Sequence, residues 1–290
     1  MPEQYAPLID FLTACWFGII GACVGSFLNV VAYRMPLGMS VIWKPSHCPK
    51  CETPILARDN VPVLGWLWLR GKCRSCSEPI SPRYAIVEAV MALTFIVLAY
   101  AELFSGGANL PTGPLTEGRG ALENILEPHW TLLRVYAFHC ALMCVLMCVV
   151  LVDLDGVRFP WSWIVPLIFA FLILTKWTYY DAKPIMSDEL PKSSGLAVVL
   201  LPFLLVWFFG QDSTGRKNSY FLFAAASAFL GFGVLPTITA LTVACVAILW
   251  AGTRVAKPPI TRQRLFGSDF YLASMLQIVF WKQLHAIIAP

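Results

Sequence analysis

The chain has 290 residues, of which 58% are hydrophobic and 13% charged, with a net charge of +4 and a mean hydropathy of +0.68. A soluble domain carries about 25% charged residues, so this composition excludes a soluble globular protein and describes a polytopic membrane protein. The net charge is too small to argue for nucleic-acid binding and reports instead basic loops facing a cytoplasm.

In chain order, Leu8 to Tyr33 is a first apolar run, long enough to cross about 30 Å of hydrocarbon. No basic segment precedes it, so a cleavable signal is not expected. Gly21, Gly25 and Ser26 recur at helical spacing and predict a close helix neighbour. Asn29 near the membrane boundary is expected to make a helix-packing hydrogen bond, with a polar site as the alternative.

From Arg34 to Arg83 eight Lys or Arg stand against three Asp or Glu. Basic loops stay in the cytoplasm, which places this segment inside and the N-terminus outside. It holds two Cys-x-x-Cys pairs, Cys48/Cys51 and Cys73/Cys76. Two such pairs form the tetrahedral thiolate set that structural zinc prefers, closed by four sulfurs with no open position for water. Two disulfides or four idle thiols are the alternatives. Asp59-Asn60, Gly65 and Arg70-Gly71 supply turn residues between the pairs, and His47 is the single nearby candidate for a further ligand. Cys140, Cys144 and Cys148 repeat at i, i+4, i+8 and predict a membrane-core stripe rather than a metal site.

A second span runs from about Tyr84 to Leu103. Glu88, one turn inside it, is expected to pair locally near Arg83 and Tyr84, with contact to a substrate as the alternative. Ser105 to Trp130, rich in Gly, Pro and Glu, reads as an external loop. The third span, Thr131 to Val152, ends in Asp153-Leu154-Asp155. Carboxylates directly after an apolar run are costly unless they sit at the interface or line a wet cavity, so a functional reading is the default, with a solvated helix end as the alternative. Residues two apart on a helix point about 200° from each other, so Asp153 and Asp155 do not form one catalytic pair. Further spans are predicted at Trp161–Tyr179, Gly195–Phe209, Ser219–Gly233, from Pro236 to about Trp250, and from Phe266 to the C-terminus. The fold class expected is therefore all-α and polytopic, with about eight transmembrane helices and a small cytoplasmic zinc-ribbon-like insertion.

Several stretches together resemble the bacterial type IV prepilin peptidases. They are Gly25-Ser26-Phe27-Leu28-Asn29 through Arg34-Met35-Pro36, Ser46-His47-Cys48-Pro49-Lys50-Cys51, Asp59-Asn60-Val61-Pro62, Leu69-Arg70-Gly71-Lys72-Cys73-Arg74-Ser75-Cys76, and Ser81-Pro82-Arg83-Tyr84 to Glu88. Asp153-Leu154-Asp155 with Pro160 matches that family's first catalytic aspartate motif, and fainter similarity continues through Gly231 and Leu235-Pro236 to Phe266-Gly267. The resemblance implies a multi-pass enzyme of the bacterial cytoplasmic (inner) membrane, serving type IV pili or type II secretion. Such an enzyme cuts the basic leader from prepilins or pseudopilins on the cytoplasmic side. It then methylates the new N-terminus with S-adenosylmethionine, whose site here is unassigned; Asn29, Arg70, Arg83 and Glu88 are neighbours of the region expected to hold it. The resemblance also divides the chain into a first transmembrane helix (1–33), a cytoplasmic four-cysteine zinc loop (34–85) and a peptidase-like helical domain of about seven helices (86–290).

The implied peptidase is aspartic: two carboxylates share a proton, one acting as base toward water while the other polarises the scissile carbonyl. Asp153 is the first. Where the family's second aspartate is expected, counting back from Gly231, this chain has Ser219. A serine hydroxyl is far too weakly acidic for that role. Asp212 in the same loop is the leading substitute, Asp269 a second. A chain that has lost the protease and keeps methyl transfer or prepilin binding is the alternative function, and an unrelated zinc-bearing transporter a third reading, opposed by the lack of half-to-half repeats. A basic leader would gain from acidic groups such as Asp153 and Asp155.

Overall fold

The computed structural model describes residues 3–43, 45–110, 114–116, 120–157, 266–280 and 282–283, with Asp153 and residues 266–270 described by their backbone. The predicted spans between 161 and 250, together with Asp212 and Ser219, lie outside the described residues. Within them the helices are α1 (Ala6–Arg34), α2 (Leu64–Trp68), α3 (Arg83–Leu98, continued as a π-helical turn, Ala99–Phe104), α4 (Ala121–Leu126), α5 (Trp130–Leu154) and α6 (Phe266–Val279). No strand occurs among the described residues; two isolated β-bridges, His47 with Pro54 and Lys72 with Pro79, are the extent of β pairing there. Three helical stretches are long and apolar enough to cross a membrane, Ala6–Leu37, Arg83–Phe104 and Trp130–Val152, which match the first three predicted spans.

α1 sorts its residues by size. Leu8, Phe11, Leu12, Trp16 and Ile19 form an exposed stripe, while Ala14, Gly18, Gly21, Gly25, Leu28 and Ala32 are buried. The glycines let α3 approach antiparallel and almost backbone to backbone. A β-carbon at Gly21 would lie 2.6 Å from the Met91 carbonyl oxygen, and one at Gly25 would lie 2.9 Å from Glu88 Cα. Small residues are the usual device for such contact in lipid, where apolar attraction between helices is absent. Gly21 and Gly25 thus do what their spacing predicts, joined by Gly18, whereas Ser26 is only half-buried. Asn29 completes the contact, its Nδ2 donating to the Gly25 carbonyl (3.3 Å) and across to the Tyr84 carbonyl (3.4 Å).

α5 occupies the centre, with 78% of its spanning window buried, against 28% for α1 and 39% for α3. Cys140 and Cys148 are buried among Leu142, Met143, Leu146 and Val149, and Cys144 packs beside them, so the cysteine stripe is core. At the far end from the cysteine loop, Asp10 of α1 accepts the Ala121 N–H at 2.6 Å and ties down α4. The predicted loop from Ser105 to Trp130 therefore contains a short docked helix.

Candidate functional site at the cysteine end of the bundle

The cysteine loop is built from one local pattern used twice, twenty-five residues apart. In the first copy Cys48 N donates to Thr53 O (3.0 Å), Glu52 N to Cys48 O (2.9 Å) and Ile55 N to Ser46 O (3.0 Å). In the second, Cys73 N donates to Glu78 O (2.8 Å), Ser77 N to Cys73 O (2.9 Å) and Ile80 N to Gly71 O (2.7 Å). Glu52 (φ 57°) and Ser77 (φ 59°) take the same left-handed conformation in each. This turn folds each chain back so that both sulfurs of a pair point inward.

Cys48, Cys51, Cys73 and Cys76 converge with all their sulfurs within 4.8 Å of one another. Across the two copies, Cys48 Sγ lies 3.8 Å from Cys76 Sγ, and Cys51 Sγ 4.0 Å from Cys73 Sγ. A tetrahedron of sulfurs at 2.3 Å from a central ion has edges of about 3.8 Å, whereas a disulfide would require about 2.05 Å. The arrangement therefore suits one four-coordinate metal ion and rules out both disulfides. The electrostatics agree. The Thr53 hydroxyl, 3.3 Å from Cys51 Sγ, and the Thr53 backbone lower the Cys51 thiol to about 6. Backbone N–H groups of Cys76 and Ser75 lower Cys73. At Cys76 the Glu78 backbone acts in the same sense, but desolvation and the neighbouring sulfurs outweigh it and push the thiol up to about 12. Four thiolates this close cannot all form without a cation between them. His47 takes no part: its Nδ1 lies 3.2 Å from the Pro45 carbonyl.

Among the charged contacts of the lobe, two set its shape and its place on the bundle. Arg74 grips Asp59 with Nε to Oδ2 at 2.7 Å and Nη2 to Oδ1 at 2.5 Å, joining the second knuckle to the turn Ala57–Asp59. The paired guanidinium depresses the Asp59 carboxyl below its ordinary value. A carboxyl depressed in the fold contributes stability that is complete above its unfolded pKa of about 3.9 and is lost as pH falls through the folded value. The protection of the lobe amides, their exchange relative to the unfolded chain at the same pH, is thus expected to be constant down to about pH 4 and to fall below it. Asp59→Asn should abolish that step; an unchanged profile in the variant would refute the assignment.

The second contact docks the lobe on the membrane bundle. Val63 has φ 62° and ψ −53°, and Leu64 N donates to Pro62 O at 2.7 Å, which defines a strained γ-turn at a β-branched residue. The Val63 N–H is aimed at Glu88 Oε2, 2.6 Å away. Glu88 therefore does not pair locally, contrary to expectation. It lies five residues past Arg83, about 140° around the helix from it, and so faces the lobe while Arg83 faces α5. Gly65 likewise serves close packing against the Asp59 carbonyl rather than a turn; the turn is made by Arg70 (φ 52°) and Gly71 (φ 68°).

Arg83 binds Asp155 through both terminal guanidinium nitrogens, Nη1 to Oδ1 and Nη2 to Oδ2 at 2.9 Å, with Nη2 also 3.4 Å from the Leu151 carbonyl. Gly156 (φ 68°) and the Val157 N–H to Val152 O bond close the helix just beyond. Asp153 thus lies in a last turn of α5 that is capped and pinned to the start of α3, at the same end as the four cysteines. The charge of Asp155 is already met by Arg83. It is not a free attractant for a basic leader, which corrects that expectation. Asp269 lies in the first turns of α6, two residues before Tyr271, whose hydroxyl meets Thr94 Oγ1 at 2.8 Å. Thr94 is eleven residues into α3, about 16 Å from the lobe end.

One polar pair was not anticipated. Glu102 in the π-helical turn and His139 in α5 are fully buried with Oε1 and Nδ1 2.5 Å apart. The signal for it was an acid and a histidine inside two successive apolar runs, residues that are rarely placed in a membrane without each other.

Residues 19–102 match the family model described as the bacterial peptidase A24 N-terminal domain. The chain is 28% identical over 279 residues to the prepilin leader peptidase/N-methyltransferase of Pectobacterium carotovorum subsp. carotovorum, covering 84% of this chain and 88% of that protein. It is 27% identical over 262 residues to the protein of the same name from Aeromonas salmonicida, covering 79% and 77%. To that of Myxococcus xanthus it is 32% identical over 241 residues, covering 81% of this chain and 60% of the relative. No solved structure matches the chain. With that N-terminal match and similarity running along most of its length, this chain is similar to the prepilin leader peptidase/N-methyltransferases.

Proposed function

We propose that this protein removes the basic leader from prepilins or pseudopilins and then methylates the exposed N-terminus, acting at the cytoplasmic face of the bacterial inner membrane. The observation that supports this most is the convergence of the capped end of α5, with Asp153 in its last turn, and the four-cysteine lobe at one end of the helix bundle. A substrate whose apolar helix lies in the bilayer presents its leader junction at this level.

In this reading Asp153 and Asp212 are the two carboxylates. Sharing one proton, one draws a proton from water while the other donates to the scissile carbonyl oxygen, so that no free charge accumulates in the transition state. Arg83 and Asp155 hold the α5 end, which fixes where the Asp153 backbone meets the substrate. Cys48, Cys51, Cys73 and Cys76 would hold zinc as a closed structural site and so join the two knuckles. S-adenosylmethionine supplies the methyl group.

The test is incubation of the purified full-length protein with a prepilin and methyl-labelled S-adenosylmethionine. Leader loss with label on the new N-terminus is expected. Label transfer to a pre-cut pilin without any cutting would leave the methyltransferase alone, and the absence of both cutting and label transfer would refute the function.

A further inference from the structure

The geometry points to a second membrane contact besides the spans: we infer that α2 lies flat in the interface of the same leaflet, with Leu64, Leu67 and Trp68 set into the lipid. The inference does not depend on the enzymatic reading.

The faces of α2 are assigned by its neighbours. Gly65 packs against the Asp59 carbonyl on one side. Trp66 is on the other, with its indole N–H donating to Ile80 O at 3.0 Å and its ring over Gly71. The lobe body thus covers Gly65 and Trp66. Leu64, Leu67 and Trp68, at i, i+3 and i+4, form one stripe pointing away from it and are 46%, 54% and 64% exposed. Three large apolar side chains on one exposed face of a five-residue helix need a cover.

The depth of the helix says what the cover is. The residue before α2, Val63, bonds Glu88, which is five residues and so about 7.5 Å into the span that starts at Arg83. α2 is therefore held at the boundary of the hydrocarbon, where a Trp and two Leu on one face are stabilised by burial to the level of the headgroups. The surrounding charge is complementary to anionic lipid. Arg58, in the turn packed under Gly65, and Arg70, two residues after Trp68, are both exposed, and the loop 34–83 carries eight Lys or Arg against three Asp or Glu. A lobe clamped to the bilayer at α2 as well as at Glu88 cannot swing away from the end of α5.

The experiment places photoreactive benzoylphenylalanine at Leu67 or at Trp68 of the full chain, in nanodiscs of phosphatidylethanolamine and phosphatidylglycerol with labelled acyl chains. Lipid adducts are expected at both positions, at the level given by the same probe at Ile86 on the exposed face of α3 and at least about ten-fold above the probe at Lys50, whose side chain is 67% exposed. Labelling no stronger than at Lys50 would overturn the inference. So would lipid adducts replaced by pilin adducts when prepilin is added, which would make the stripe a substrate groove. On the unsubstituted protein in the same discs, hydroxyl-radical oxidation of Trp68 should be at least about ten-fold slower than in the unfolded chain; a rate matching its 64% exposure would also overturn it.

Discussion

Asp153→Asn is expected to lower leader cleavage by about a thousand-fold or more, the loss that follows when a positioned acid–base group is removed, while methyl transfer to a pre-cut pilin continues at the wild-type rate. An amide cannot share the dyad's proton, yet it matches the carboxylate in size and leaves the α5 end folded. Asp155→Asn, two residues on, provides the contrast. Its partner Arg83 is held at a site where both side chains are about one-third exposed. Pairs of this kind contribute about 1 kcal/mol or less, somewhat more when bidentate, so cleavage should fall by no more than about ten-fold. Equal losses at the two positions would remove the assignment of Asp153.

The second carboxylate is tested in the same assay. If Asp212 fills the role, Asp212→Asn should match Asp153→Asn, and the double variant should be no worse than either, because the two act as one unit. Ser219→Asp would then add nothing. Normal cutting by Asp212→Asn, with a gain on Ser219→Asp, would return the role to the position that Ser219 occupies.

The other large effect lies in the cysteine lobe. Cys73→Ser should reduce bound zinc from about one ion per chain to near zero, because structural zinc binding contributes about 10–16 kcal/mol and depends on the full thiolate set. Amides across both knuckles should lose their hydrogen-exchange protection together, since Cys48 lies against Cys76 and Cys51 against Cys73 across the copies. The helical circular dichroism should change little. The α1–α3 contact rests on Gly18, Gly21 and Gly25 against Ile96, Met91 and Glu88, none of which touches the sulfurs. Retention of zinc in Cys73→Ser, or melting of the spans along with the lobe, would contradict this division.

Local features of the chain were legible without coordinates because they depend on spacing along one element. Apolar length set the first three spans, and two Cys-x-x-Cys pairs pointed to a shared centre whatever path joined them. The glycines of α1 announced a close neighbour for the same reason. The twenty-five-residue repeat was also present in the sequence, since Cys48-x-x-Cys51-x-x-Pro54 and Cys73-x-x-Cys76-x-x-Pro79 share their register.

What the sequence left open was which partner each polar side chain takes. Arg83 and Asp155 are 72 residues apart, Glu102 and His139 are 37 apart, and Glu88 meets a backbone N–H 25 residues before it. Those choices follow from the antiparallel register of α3 on α1 and α5 and from the side of the bundle on which the lobe docks. Chain order fixes neither, because a carboxylate near a helix end has several cations within reach of its own segment. Only the packed helices decide which of them shares its face.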